Sequence, residues 1–176
     1  MEEQRWRSLF EDVYMILISP YSKLLRNGKK NPKNYPFWEE LIILIKKEFP
    51  EHTLVQIGVE GEEKLDCHSF LKGLPFKELA YWLDQSTTWI AVDSFFPHFA
   101  SYVGKKGIAI FGQSDPNVFG CPNNINLLKD RKYLRENMYD FWENAAYRPE
   151  SFVKPEKVID ALRKITETLN KGARNG

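Results

Sequence analysis

The stretch Val13–Ile18 reads VYMILI and ends at Ser19-Pro20. An uninterrupted apolar run of this length, rich in β-branched residues, is typical of a strand that is buried on both faces, as in a parallel sheet. Similar runs follow at Thr53–Val59, Thr88–Val92 and Gly107–Phe111, and a shorter apolar segment lies at 70–74. The sequence therefore predicts a sheet built on four buried strands.

Segments with apolar residues at helical spacing lie between these runs. Pro36 is suited to open the first helix, because the first turn of a helix leaves its N–H groups unbonded and proline lacks one. Pro50 then ends that helix. Three further helices are predicted, beginning at Pro75, Pro97 and Pro155. Because strands alternate with helices, the fold class is α/β, with one Rossmann-like domain and a mainly parallel sheet.

Length and charge limit the possible functions. The 176 residues are enough for one buried core, and we predict one domain over residues 1–176 with a frayed tail at 171–176. A net charge of +1, from 25 basic and 24 acidic residues, predicts no nucleic-acid partner. Neither a secretory signal nor a run of about 20 apolar residues is visible, which predicts a cytoplasmic protein without a membrane span.

Cysteine and histidine positions indicate no metal centre. Cys67 and Cys121 have neither metal-ligand spacing nor the pattern of a disulfide framework, so we expect no metal and no other cofactor. His52 and His68 lie in predicted loops and are expected at the surface.

Polar residues follow the predicted strands. In an open α/β sheet, ligands bind beyond the carboxyl ends of the strands. Here those ends carry Ser19, Gly58-Val59-Glu60, Asp93-Ser94 and the segment 112–115. This edge locates a candidate site without naming its ligand.

The segment Asp93–His98 is the most informative part of that edge. A strand ends at Asp93 and a helix begins within a few residues, so free N–H groups and the positive end of the helix dipole could stabilise an anion. The alternative is that Asp93 or Ser94 is an ordinary helix cap. His98 is either a functional residue or a packed or surface histidine, and both interpretations stay open.

A basic stretch follows the first predicted strand. It comprises Lys23, Arg26, Lys29, Lys30 and Lys33, with Glu39, Glu40 and Glu48 close behind it. A solvated loop and an anion-binding site are both compatible with this pattern.

Five segments together resemble a known family. They are Lys33–Trp38 (KNYPFW), Ile57–Glu63 (IGVEGEE), Leu71–Ala80 (LKGLPFKELA), Asp93–His98 (DSFFPH) and Phe111–Pro116 (FGQSDP). In order and spacing, they resemble the donor-binding domain of glycosyltransferase family nine, the ADP-heptose:lipopolysaccharide heptosyltransferases. The resemblance implies the C-terminal half of a GT-B fold, two Rossmann-like domains that face each other across a cleft.

The resemblance also implies a ligand and a reaction. The ligand is a nucleotide-diphosphate sugar of the ADP-heptose type, and the reaction is hexosyl or heptosyl transfer without a metal. Lys33 would face the donor phosphates, and the acidic loop after the second strand would reach the ribose or the base. The implied donor-binding residues are Lys33, Glu60, Glu62, Asp93, Ser94, Phe95 and His98.

Two departures from the family pattern affect this expectation. Phe95 stands where the family has a glycine that lets the diphosphate approach the backbone. Only Met1 to Asp12 precede the first predicted strand, so we expect the acceptor half, with its catalytic carboxylate, to be missing. A protein partner or a homo-oligomer would then supply that half, while Asp93, His98 and Asp115 are the local catalytic candidates.

Two alternatives to a glycosyltransferase remain. The first is a non-catalytic nucleotide or nucleotide-sugar binding subunit or sequestering protein. The second is a degenerate domain used for protein interaction, with the aromatic segment 133–147 as its contact surface. These aromatic rings could instead pack on the edge of the sheet or on the last helix, which the sequence favours.

Overall fold

A computed structural model describes residues 14–174, of which 170–174 are described by their backbone alone. Its sheet has six parallel strands in the order β3-β2-β1-β4-β5-β6. The strands are β1 Tyr14–Ser19, β2 His52–Gly58, β3 Ser69–Lys72, β4 Thr88–Val92, β5 Ile108–Phe111 and β6 Ile125–Leu128. This is the strand order of a Rossmann fold. The predicted α/β, Rossmann-like fold class with a parallel sheet is therefore confirmed.

Five α-helices occur in the described part of the chain. They are α1 Trp38–Glu48, α2 Phe76–Gln85, α3 Phe95–Tyr102, α4 Pro116–Phe119 and α5 Pro155–Arg174. Single 3₁₀ turns follow β6 at 131–133, 142–144 and 149–151. Helix α3 begins two residues before the predicted Pro97, because the Ser94 hydroxyl accepts a hydrogen bond from the Phe96 amide and caps it earlier.

The ends of the chain lie partly outside this description. Val13, the first residue of the predicted strand, and residues 175–176 of the predicted frayed tail lie outside the described residues. The backbone of α5 is helical to Arg174, so the helix extends into the segment predicted to fray. The single-domain organisation stays a prediction.

Both faces of the sheet are covered. Ile16 and Ile18 of β1 point to one face, where α1 and α5 complete a buried cluster. Met15 and Leu17 point to the other face, where α2 and α3 complete a second cluster. All four side chains are at most 1% exposed, as the apolar run at the start of the chain predicts.

One histidine prediction was wrong. His52 is the first residue of β2 and is only 6% exposed, packed between the rings of Tyr14 and Phe49 at centroid distances of 5.2 and 5.6 Å. The strand starts one residue earlier than the apolar pattern indicates, and this brings His52 under the ring of Tyr14, its register partner in β1. His68 is exposed, as predicted.

The order of the strands positions the candidate site. Because β1 lies between β2 and β4, the segments that follow these three strands meet at one edge of the sheet. The segment 20–34 leads from β1 into α1 on one face, whereas α2 and α3 begin on the other face. A ligand at this edge would lie between two walls from opposite sides of the sheet.

Candidate functional site

A cleft of about 870 Å³ lies over the carboxyl ends of β1, β2 and β4. This volume falls within the usual range of small-molecule and cofactor sites. One wall comes from the segment 20–34, and the opposite wall carries Phe76 of α2 and Phe95 of α3. Four of the implied donor-binding residues line the cleft, namely Glu60, Glu62, Ser94 and Phe95, whereas Lys33, Asp93 and His98 do not line it.

The buried side chain of Gln56 in β2 holds the acidic loop 59–65 that follows this strand. The Gln56 side chain is fully buried, its Oε1 accepts a hydrogen bond from the Leu65 amide at 2.8 Å, and its Nε2 donates to the Glu63 carbonyl at 2.9 Å. These two bonds close the loop around one side chain of the strand. Gln56 gave no signal in the sequence, because a glutamine inside a predicted strand reads as a position that faces solvent.

Two carboxylates of this loop have different surroundings. Glu60 is exposed and pairs with Lys72, whose Nζ lies 3.1 Å from Oε1. Glu62 is half-buried, and its Oε2 accepts a hydrogen bond from the Val59 amide at 3.2 Å. Burial raises the pKa of Glu62, although the Val59 bond acts in the opposite direction. Gly58 makes room for this arrangement, because a Cβ there would meet Glu62 Oε2 and come within 3.0 Å of the Phe70 ring.

Lys33 and Asp93 form an ion pair beside the cleft. Lys33 Nζ lies 2.9 Å from Asp93 Oδ2, and the same oxygen accepts a hydrogen bond from the Ser114 hydroxyl at 2.6 Å. The Lys33 ammonium also lies 5.0 Å from the centre of the Trp142 ring. The structure brings Lys33 and Asp93 together, but the charge of Lys33 is already balanced by a protein carboxylate.

The start of α3 carries an aromatic cluster. The rings of Phe76, Phe95 and Phe99 lie 5.5 Å apart in each pair, with interplanar angles of 31°, 29° and 27°. Phe76 and Phe95 are 66% and 56% exposed. Ser94 caps the helix, as the cap interpretation predicts, and the anion interpretation of the same segment stays a prediction.

The remaining candidates lie away from the cleft. His98 is exposed, and its Nδ1 lies 3.5 Å from Cys121 Sγ. Asp115 caps α4 by accepting the Asn117 amide at 2.9 Å, and it binds Arg131 through both carboxylate oxygens at 3.1 and 2.6 Å. Arg131 holds the pKa of Asp115 below its usual value. Both oxygens of the Asp115 carboxylate are therefore already bound by Arg131 and the Asn117 amide.

The aromatic segment 133–147 is neither fully packed nor fully exposed. Tyr139, Phe141 and Tyr147 are 81%, 60% and 50% exposed. Trp142 is partly buried and lies against Arg135, whose guanidinium carbon is 4.2 Å from the ring centre. The exposed rings keep the protein-interaction hypothesis open.

The sequence did not predict that Phe76 and Phe95 together form one wall of the cleft. Phe76 reads as an ordinary helix residue, and only the folded chain brings it beside Phe95. Lys23 and Lys30 belong to the basic stretch noticed in the sequence, and both line the cleft. Their pattern allowed a solvated loop equally well, because the sequence does not say which way a loop faces.

Residues 14–174 contain neither a cluster of metal-binding side chains nor a helix that could span a membrane. The described side chains include no group of three or more His, Cys, Asp or Glu residues arranged to hold a metal ion. None of the described helices is both long and apolar enough to cross a membrane. The expected absence of a metal and of other cofactors stays a prediction.

Comparison with known proteins was informative at the level of structure. No protein-family model matches the sequence, and no curated protein matches it. The ADP-heptose lipopolysaccharide heptosyltransferase II of E. coli superposes with a TM-score of 0.65 over 94% of this chain and 50% of its own, at 12% identity. A glycosyltransferase of family 9 from Veillonella parvula gives a TM-score of 0.63 at 16% identity, over 93% of this chain and 49% of its own.

A third solved structure has a similar fold. The dodecameric iron-containing heptosyltransferase TibC of enterotoxigenic E. coli, solved with ADP-D-beta-D-heptose, gives a TM-score of 0.64 at 16% identity. It is matched over 90% of this chain and 46% of its own. The chain thus spans about half the length of the structures it matches. It has the Rossmann-like fold that makes up about half of a heptosyltransferase of glycosyltransferase family nine.

Proposed function

We propose that this chain binds a nucleotide-diphosphate sugar in the cleft and presents it for glycosyl transfer. The observation that carries the proposal is the position of the cleft. It lies over β1 and β4, where the strand order of the sheet reverses, and nucleotide ligands of Rossmann folds bind at this point. The volume of about 870 Å³ is large enough for a ligand of this size.

The acidic loop supports a nucleotide as the ligand. Carboxylates after the second strand of a Rossmann fold accept hydrogen bonds from ribose hydroxyls. Glu60 and Glu62 lie in that position and line the cleft. Among the similar structures, one was solved with ADP-D-beta-D-heptose and another, E. coli WaaC, with ADP. ADP-type ligands are therefore the first to test.

None of the three local catalytic candidates, Asp93, His98 and Asp115, lines this cleft. Asp93 and Asp115, two of the local candidates, are held by Lys33 and Arg131. We propose that a protein partner or a second copy of the chain supplies the acceptor side. Cationic side chains would offset the charge of the departing diphosphate, so the mechanism requires no metal. A cytoplasmic location is part of the same proposal.

The engaged carboxylates also favour a second candidate, a non-catalytic binding or sequestering protein. A carboxylate that is already paired with a cation is a poor general base, because the pairing stabilises its charged form. This candidate requires the same cleft and the same ligand. It differs only in the absence of turnover.

Calorimetry of the purified chain tests the binding proposal. We expect saturable one-to-one binding of at least one of ADP, UDP, GDP and CDP or of their sugar conjugates. Leu74→Trp, which places a large ring in the cleft, should abolish this binding, whereas Tyr102→Ala, at an exposed position outside the cleft, should leave it unchanged. Failure of the folded wild type to bind any of these ligands would refute the proposal.

Mass spectrometry of the bound nucleotide sugar separates the two candidates. Release of the nucleoside diphosphate, alone or with added sugar acceptors, indicates transfer or hydrolysis. A ligand that is bound at full occupancy but stays intact over hours, including in the presence of acceptors, favours the sequestering protein.

A further inference from the structure

We propose, building on the function proposed above, that the ligand lies across the cleft, with its phosphates on Lys23 and Lys30 and its base stacked on Phe76 and Phe95. The two ends of a nucleotide differ in chemistry, since one is anionic and the other planar and aromatic. The two walls of the cleft differ in the same way.

The family resemblance implies that the phosphates bind Lys33 and the first turn of α3. In this chain, these groups have little free capacity to bind a phosphate. Lys33 is 2.9 Å from the buried Asp93 carboxylate, so an approaching phosphate would have to compete with a protein anion. In the first turn of α3, the Phe96 amide donates to the Ser94 hydroxyl, and Pro97 has no N–H. Phe95 also stands where the family resemblance implies a glycine that lets the diphosphate approach the backbone.

Lys23 and Lys30 offer positive charge in the cleft itself. The Lys23 ammonium has no ion-pair partner among the side chains of residues 14–169. Lys30 lies 3.7 Å from Glu63, but both side chains are well exposed, at 80% and 65%, and an ion pair of this kind is weak. A phosphate can therefore recruit both lysines at little cost.

The backbone that carries these lysines is held in place. The Asn31 amide group donates a hydrogen bond to the Lys23 carbonyl at 3.1 Å, and Asn31 is 8% exposed. The Ser22 amide donates to Asn34 Oδ1 at 2.8 Å. These two bonds anchor the segment on both sides of its exposed turn. A preorganised loop loses less conformational entropy when it binds a ligand.

The opposite wall is aromatic. Phe76 and Phe95 both line the cleft and are more than half exposed, although each packs against Phe99. Large exposed rings in a concave site are unusual for a protein surface and indicate a binding role. Purine and pyrimidine bases stack on such rings irrespective of their identity.

Glu60 and Glu62 belong to the strand end between these walls. They would then contact the ribose, which joins the base to the phosphates. The observations therefore assign a cationic end, a hydroxyl-binding middle and an aromatic end to one cleft.

Calorimetry with separate ligand fragments tests this orientation. The probes are the nucleoside diphosphate that binds wild type most tightly, its parent nucleoside, and inorganic pyrophosphate. Lys23→Ala/Lys30→Ala should weaken the diphosphate and pyrophosphate at least tenfold and leave the nucleoside unchanged. Phe76→Leu/Phe95→Leu should weaken the diphosphate and the nucleoside by about tenfold and leave pyrophosphate unchanged.

Lys29→Ala is the matched control, since Lys29 is an exposed lysine of the same segment that does not line the cleft. Thermal unfolding confirms that each variant is folded. If the wild type binds no nucleoside diphosphate, the proposed function fails. If it binds one, but Lys23→Ala/Lys30→Ala behaves like Lys29→Ala, the orientation alone is overturned.

Discussion

Lys33 Nζ lies 2.9 Å from Asp93 Oδ2, and this ion pair joins the segment after β1 to the carboxyl end of β4. The Lys33 and Asp93 side chains are 19% and 6% exposed. The family resemblance assigns both residues to the ligand, yet in the free protein they bind each other. Their first role is to hold two neighbouring segments of the cleft edge together.

Lys33→Met should destabilise the fold. Removing one member of a buried ion pair leaves the other charge uncompensated, which costs about 3 kcal/mol. Urea unfolding measures this loss, and Lys33→Met/Asp93→Asn should recover part of it, because the unpaired carboxylate is then gone. Equal losses in the single and double variants would show that the unpaired Asp93 carboxylate is not the cause of the loss. Lys29→Met, at an exposed position, serves as the control.

Gly58→Ala should displace Glu62. A Cβ at position 58 would occupy the space of Glu62 Oε2 and lie 3.0 Å from the Phe70 ring. We expect a loss of about 1–3 kcal/mol in the free energy of unfolding, as for other overpacked sites. In a Glu62→Ala background, the same substitution should cost clearly less. A full cost in that background would locate the strain at Phe70 instead.

Stability should fall below neutral pH because of His52. Burial lowers the pKa of His52 in the folded protein, whereas the unfolded chain has the ordinary value of about 6.5. The unfolded state therefore binds the proton first, and the free energy of unfolding decreases as the pH falls from about 7 towards the folded pKa.

Urea unfolding at pH values from 8 to 5 measures this dependence. His52→Phe keeps an aromatic ring beside Tyr14 and Phe49 and removes the titrating group, so the decrease near pH 6.5 should shrink. An unchanged slope in that variant would assign the pH dependence to other groups.

The sequence predicted the sheet well, because its central strands are long apolar runs. Strand β1 ends at Ser19, one residue beyond the predicted Ile18, and β4 agrees with the prediction at both ends. Strand β6 was missed, since Ile125–Leu128 has four partly exposed residues and includes Asn126. A short edge strand with one face towards solvent carries too little apolar pattern to stand out from a loop.

The candidate site was only partly predictable. The ends of the strands identified Glu60 and Ser94 as residues of one edge, and the family resemblance added Glu62 and Phe95. All four line one cleft. The pairing of Lys33 with Asp93 was not readable, because the two residues are far apart in the chain and each alone looks like a ligand contact. The direction in which the basic stretch faces depends on hydrogen bonds such as that from Asn31 to the Lys23 carbonyl.

The two cysteines should differ in reactivity. Burial raises the pKa of the Cys67 thiol to about 12, so it carries almost no thiolate at pH 8. Cys121 is partly exposed and free. We expect an aromatic disulfide reagent to modify one thiol in the native protein and two in urea. Cys121→Ser should abolish the native reaction, and a native reaction that persists in this variant would show that Cys67 is accessible.

Phe95→Gly distinguishes the two orientations of the ligand most directly. The substitution introduces the glycine that the family resemblance implies at this position, and it bares the first amide of α3 at a small cost in helix stability. If the phosphates bound at this helix end, the variant would bind a nucleoside diphosphate more tightly than wild type. If the base stacks on Phe95, as we propose, binding should weaken about tenfold while pyrophosphate binding is unchanged. Calorimetry with both probes shows whether the affinity for the nucleoside diphosphate rises or falls. Tyr102→Gly, at the far end of the same helix, controls for the loss of an exposed ring.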